Sequence, residues 1–210
     1  MRFALAALAA LALAPMSALA TEEPDHTVVV QEDRFQIRAY EPMILAEVTV
    51  EGDLGQASNR GFRALADYIF GNNLASTKID MTAPVLREPS PQKIDMTAPV
   101  LREANPAGDW TVTFVMPSQW TMETLPVPNN PDVTIREVTG QVLAAAEFRG
   151  SGSSRNFARW EGELVAWLGR AGYEVTGAPR YAGYSGPWVP SPMKRQEVLI
   201  PVVEISSEDS

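Results

Sequence analysis

Met43 to Asn73 reads MILAEVTVEGDLGQASNRGFRALADYIFGNN, and its hydrophobic period changes partway along. Up to Glu51 the apolar side chains Ile44, Ala46, Val48 and Val50 take alternate positions, the period-two pattern of a half-buried strand. Beyond Gly52-Asp53-Leu54-Gly55, Phe62, Leu65, Ala66 and Ile69 recur at i, i+3, i+4 and i+7. That spacing predicts a helix starting near Ser58 or Asn59, apolar on one face, and stopping at Gly71-Asn72-Asn73. A strand feeding a one-faced helix predicts a sheet with the helix packed on one side.

The same succession returns about 95 to 100 residues later. Gln141 to Phe148 reads as a strand, and Ser153 or Ser154 stands as an N-cap. Phe157, Trp160, Leu164, Trp167 and Leu168 then form a helical face that Gly169 to Gly172 closes. Ala46-Glu47-Val48 before Ser58-Asn59-Arg60-Gly61-Phe62 is echoed by Ala146-Glu147-Phe148 before Ser154-Arg155-Asn156-Phe157. Further strands are predicted at Arg34 to Tyr40, Trp110 to Met116, Val133 to Glu137 and Glu197 to Ile205. Leu125-Pro126-Val127-Pro128-Asn129-Asn130-Pro131 is read as a connection that holds neither ladder nor helix. The expectation is one internally duplicated α+β domain, with halves at about 27–126 and 127–205.

Composition narrows the chemistry. The chain has 210 residues, 45% of them hydrophobic and 20% charged, with 17 prolines and no cysteine, which fits a globular domain rather than disorder or coiled coil. Thiolate catalysis, iron–sulfur clusters and cysteine-based zinc sites are excluded, and no disulfide supports the core. Lys+Arg 17 against Asp+Glu 26 gives a net charge of -9 with no basic run, which speaks against nucleic acid as a partner.

Residues 1–20 carry Arg2, an apolar run from Phe3 to Pro15, and a small-x-small site at Ala18-Leu19-Ala20. This is the pattern of a signal peptide cleaved after Ala20, which predicts a periplasmic or secreted protein with no transmembrane segment in the mature chain. Residues 21–210 then form a single domain, with 16 basic against 26 acidic side chains and a net charge of -10.

The most specific feature is a tight repeat. Lys78-Ile79-Asp80-Met81-Thr82-Ala83-Pro84-Val85-Leu86-Arg87-Glu88 recurs unchanged from Lys93 to Glu103, fifteen residues on. Period two along each copy predicts a hairpin of two similar strands joined by Pro89-Ser90-Pro91-Gln92, with Ile94, Met96, Ala98 and Val100 on one face of the second arm. A tandem duplication in which one copy is a loop is the other reading.

These two copies resemble the KIAMTAPV signature of the SOUL heme-binding protein family, whose bacterial members often carry it twice. Tyr40-Glu41-Pro42, Tyr68-Ile69-Phe70-Gly71-Asn72, Trp110 to Pro117, Leu125 to Pro128, Tyr184 to Pro190 and Met193 to Val198 agree with the family, so the resemblance spans about Thr27 to Val203. Asp80 and Asp95 stand where the family usually has alanine, and Gln196 where asparagine is usual. The resemblance implies a distorted β-barrel of two pseudo-symmetric halves, similar to gyrase-inhibitor-like domains. It also implies binding of heme or another tetrapyrrole in a largely hydrophobic surface pocket beside the first long helix, for carriage or buffering rather than catalysis.

Heme iron takes His, Met, Cys or Tyr as axial ligand. The sole histidine, His26, lies in a segment expected to fray, whereas Met81, Met96, Tyr68, Tyr181 and Tyr184 are candidates inside the domain. A pocket without ligation would work by burying the ring, at roughly 25 cal/mol per Å² of apolar area, and by pairing its carboxylates. Arg60, Arg63, Lys194 and Arg195 are the candidate cations, and Trp188 between Pro187 and Pro190 the candidate stacking wall. Arg63 and Asp67, at i and i+4, are spaced for an ion pair along the helix. GxSxG, HExxH and phosphate-loop motifs are absent, and one histidine cannot build an ordinary Ser-His-Asp set. Asp80, Asp95, Glu88 and Glu103 could form a pair for acid–base work or bind a hard cation, although an identical charge in a duplicated segment is more simply a copied solvent-facing residue. The alternatives to carriage are therefore a small-molecule hydrolase or a periplasmic interaction module on the same fold.

Overall fold

The computed structural model describes residues 21–75, 91–186 and 188–205. In chain order its elements are β1 (His26–Glu32), β2 (Phe35–Tyr40), β3 (Met43–Val50), α1 (Leu54–Ile69), β4 (Asn73–Leu74), β5 (Val100–Ala104) and β6 (Trp110–Val115). There follow β7 (Val127–Pro128), β8 (Thr134–Val138), β9 (Gln141–Arg149), α2 (Ser154–Ala171), β10 (Tyr173–Val175), β11 (Arg180–Gly183) and β12 (Arg195–Glu204).

Ten strands form one curled antiparallel half-barrel sheet in the order β1-β2-β9-β12-β11-β5-β6-β3-β8, with β10 added alongside β12. Outward from the β11–β5 seam the order is β11, β12, β9, β2 on one side and β5, β6, β3, β8 on the other. Along the chain these are β2-β3-α1-β5-β6 and β8-β9-α2-β11-β12, so the halves correspond element by element. The first strand of each half is exchanged: β2 pairs with β9, and β8 with β3.

Both helices cover the same face of the sheet. On one half Phe157, Leu164, Trp167 and Leu168 of α2 meet Ile37, Ala144, Ala146, Val198 and Ile200. On the other, Leu65, Tyr68 and Ile69 of α1 meet Ala46, Val48, Val112 and Phe114. The Gly61 backbone lies so close to the sheet that a Cβ there would sit on the Val112 side chain. Leu54, the first residue of α1, packs into the core under α2 and ties the halves together.

Local signals explain most boundaries. Ser153 caps α2, and Gly172 ends it at φ 79°, in the left-handed region that suits glycine. The start of α1 is earlier than its periodicity predicts: Asp53 is the cap, its carboxylate accepting from the Gln56 N–H at 2.8 Å. Gly55 and the polar Gln56 obscure that first turn, which the cap and buried Leu54 nevertheless hold.

Three expectations need correction. His26 is not frayed but opens β1, paired opposite Tyr40, with the two rings 4.9 Å apart. The proline-rich connection does hold a ladder, of two residues, because Val127 and Pro128 pair with Leu74 and Asn73. Short strands β10 and β11 carry no readable alternation. In the doubled segment the first copy lies outside the described residues, and the second becomes a strand only at Val100. Before that, Ile94, Thr97 and Ala98 are buried while Met96 is exposed, so the alternating face is not kept. The cause is that its polar groups go to three different elements instead of one ladder. Ile94 N–H donates to the Ile69 carbonyl at 2.8 Å, Ala98 N–H to the Glu22 carbonyl at 2.8 Å, and the Thr97 hydroxyl to the Val115 carbonyl.

Candidate functional site

Where the two halves adjoin, the helix-covered side of the sheet leaves a cleft of about 410 Å³. One wall comes from α1, whose Ser58, Asn59 and Phe62 share a side of the helix. The facing wall is Ser151-Gly152-Ser153, the lead-in and cap of α2. Val100 and Arg102 of β5 form the floor, two apart and so on the same side of that strand. Gly183 and Ser185 at the end of β11, with Lys194 and Gln196 at the start of β12, complete it.

Arg102 is the unusual member. Its Nε donates to the Tyr181 carbonyl at 3.1 Å, and its guanidinium carbon lies 5.2 Å from the centre of the Phe157 ring. Its Nη2 is sealed from solvent and has no hydrogen-bond partner among the described residues. Burial pulls its pKa down to about 10, since no carboxylate is there to offset the desolvation. Gln196 is only 5% exposed, and its Oε1 is likewise unpartnered. Buried polar atoms of this kind are uncommon and call for an explanation.

A larger groove, of about 590 Å³, runs beside the turn between β1 and β2, but two of its three cations are engaged and the third, Arg149, is exposed and reaches the Met193 carbonyl at 3.4 Å. Arg34 lies over Trp160 and against Asp33, and Arg38 is paired with Glu197. An apolar groove of about 380 Å³ between Met122 and Ile135 has Thr134 as its one polar side chain, too little to orient a ligand. Among the described residues no cluster of three His, Asp or Glu could hold a metal ion, and no helix is long and apolar enough to cross a membrane.

Of the candidate binding residues named from the sequence, Lys194 alone among those described lines the cleft, and it is half-buried there. Arg60 and Arg63 are exposed on α1 and reach back to the Glu51 and Asn59 carbonyls at 3.4 and 3.1 Å. Asp67 accepts from Asn72. Tyr68 is a core residue, not a pocket wall: its hydroxyl donates to the Pro126 carbonyl at 2.7 Å, and burial raises its pKa. Met96 is 38% exposed outside the cleft, Trp188 is 82% exposed, and Met81, Asp80 and Glu88 lie outside the described residues. Asp95 is exposed, and Glu103 pairs with Arg180 at 2.7 Å. Tyr181 stacks on Phe157 with centroids 4.4 Å apart and donates to Glu161 at 2.8 Å.

Tyr184 turns to the opposite face of the sheet, into a buried charge network. Arg38 donates to both carboxylate oxygens of Glu197 at 2.9 and 3.0 Å, and the Tyr184 hydroxyl donates to Glu197 at 2.5 Å. Burial alone would raise the Glu197 pKa, but Arg38, Tyr184 and Arg195 together hold it below the usual carboxylate range. Burial and the Glu197 charge push Tyr184 far above its ordinary value. Arg195 sits 3.7 Å over the Tyr184 ring and pairs with Glu23 at 2.8 Å.

The cleft borders the first long helix, but Phe62 and Val100 are its only large apolar lining residues among those described. Arg102 escaped the sequence reading, although a signal was present: two positions beyond Val100, it puts a cation on the apolar side of a strand.

Comparisons with known proteins bear on the fold and the family. A family model described as SOUL heme-binding protein matches residues 21–201. Among curated proteins no significant sequence match is found. The C-terminal domain of EcmrR superposes with a TM-score of 0.58 at 11% identity, covering 81% of this chain and 98% of that one. A hydrolase from Listeria innocua gives 0.53 at 16% identity, with 83% and 94% covered. An uncharacterized conserved protein from Listeria innocua gives 0.51 at 15% identity, with 88% and 94% covered. At these identities the likeness is one of fold.

Proposed function

Because the chain belongs to the SOUL heme-binding protein family, we propose that it holds a tetrapyrrole of the heme class in the cleft between α1 and α2. The observation that carries this reading is Arg102, a cation without a carboxylate partner among the described residues, beside Lys194 in a protein of net charge -9. A volume of about 410 Å³ lies within the range of small-molecule sites. Phe62 and Val100 offer apolar surface to the ring, and Lys194 and Arg102 offer charge to its carboxylates.

No described lining residue is a His, Met, Tyr or Cys, so among the described residues the ring and its carboxylates carry the binding. Burial of a few hundred square ångströms at roughly 25 cal/mol per Å² then supports roughly micromolar affinity once association costs are met. The described lining includes hydroxyls and cations but neither carboxylate nor imidazole, which favours retention of a ligand over turnover. With a leader of the kind read at residues 1–20, this carriage or buffering would take place in the periplasm or outside the cell.

Titration of the mature protein with hemin, followed at the Soret band, tests the reading. A saturable one-to-one complex of micromolar Kd, weakened about tenfold by Lys194→Ala and unchanged by Arg63→Ala, is the expected result. A spectrum that only tracks free or aggregated hemin would overturn it.

A further inference from the structure

The floor of the cleft has a shape and a charge that ring burial does not explain. Two glycines border it. A Cβ at Gly183 would lie 3.1 Å from Arg102 Nη2 and 3.4 Å from Gln196 Oε1, and one at Gly152 would lie 3.4 Å from the same Oε1. A side chain at Gly183 would crowd both unpartnered groups, and one at Gly152 would crowd Gln196. Gly152 also leads into the N-terminus of the eighteen-residue helix α2, whose dipole and free N–H groups favour negative charge.

A guanidinium left without a counter-charge is costly when buried, and burial already pulls Arg102 down to about 10. A carboxylate reaching Arg102 at Nη1, which is neither sealed nor hydrogen-bonded among the described residues, would relieve that cost through a charge-assisted hydrogen bond. We infer that the floor of the cleft is a carboxylate-recognition subsite centred on Arg102, with Gln196 beside it and no side chain crowding it from Gly183.

This inference deepens the proposed function and rests on the same cleft, but it is tested without a tetrapyrrole. Thermal unfolding of the mature protein is followed with increasing sodium benzoate, and with benzamide as the uncharged match. The subsite predicts a saturable rise in Tm for benzoate, about 3–6 °C at ten times its Kd, and none for benzamide. Arg102→Met removes the response, Gly183→Ala weakens it, and Arg63→Ala leaves it intact. The Tm of each variant without ligand reports that it is folded. No benzoate response in the wild type, or a response that survives in Arg102→Met, overturns the subsite.

A second arm identifies the source of the carboxylate by comparing hemin with its dimethyl ester. If a tetrapyrrole carboxylate occupies the subsite, the ester binds at least about tenfold more weakly to the wild type and equally to Arg102→Met. A benzoate response with no hemin binding supports the subsite and overturns the tetrapyrrole reading. Hemin binding with no benzoate response does the reverse.

Discussion

α1 and α2 occupy matching places in the two halves but approach the sheet by opposite means. After Leu54, the buried positions in the first half of α1 are the small Ala57 and Gly61, so its backbone comes down onto Val112. α2 instead stands off on Phe157 and Trp167, both essentially without solvent exposure. The aromatic side chains continue outward as a stack, with Phe157 on Tyr181 and Phe148 on Trp160. One topology can thus be packed either by thinning a helix or by filling the gap beneath it. The two choices also divide the cleft: α1 gives it a wall, and α2 supports the Arg102 guanidinium from below with the Phe157 ring.

That contrast can be broken most severely on the α2 side. Phe157→Ala removes a fully buried ring and should cost about 3–5 kcal/mol in chemical denaturation, because the surrounding aromatic stack cannot close over the cavity. On the α1 side the damaging change is an addition. Gly61→Ala places a methyl against Val112, whose β-branched side chain on a central strand cannot swing away, and should cost about 1–3 kcal/mol despite the better helix propensity of alanine. A destabilisation near zero would mean that α1 can lift off the sheet, and the distinction between the helices would fail. The smallest effect has the opposite sign. Gly162 lies on the exposed side of α2, where an added methyl would meet nothing within 4 Å, so Gly162→Ala should stabilise by about 1 kcal/mol in the same denaturation experiment.

The sequence makes the architecture legible wherever a period is long enough to count. The strand-to-helix change at Met43 to Asn73 and its echo at Gln141 to Gly172 place both helices and the central strands β3 and β9. It does not reveal two-residue ladders or three-residue strands such as β4, β7 and β10, which are held by their neighbours rather than by any pattern of their own. The doubled segment misleads for a related reason. Its alternation looks like a strand, but Asn73 takes hold of Gln92 through both N–H and carbonyl before Ile94 reaches α1, and the backbone is spent on those contacts.

The site is less legible than the fold. Candidates chosen by residue type, Tyr68, Tyr184, Met96 and Trp188, are dispersed among core, opposite face and exposed surface. Lys194 was within reach because a cation following a proline-rich loop has few places to go. Arg102 and Gln196 act through their lack of partners, which is a property of three dimensions: no spacing in the chain shows that a guanidinium will be left unpaired.

The exchange of β2 and β8 between the halves bears on how the molecule is made. Phe35 to Tyr40 is complete early in synthesis, yet one side of that strand has no partner until Val142 to Ala146 arrives, more than a hundred positions later. Neither half can close its own sheet, so the chain reaches its native pairing late, through contacts of long sequence separation and slow closure. Any machinery that delivers this protein N-terminus first must shield Ile37 and its neighbours through that interval, which makes the waiting strand, rather than the finished fold, the point most exposed to misassembly.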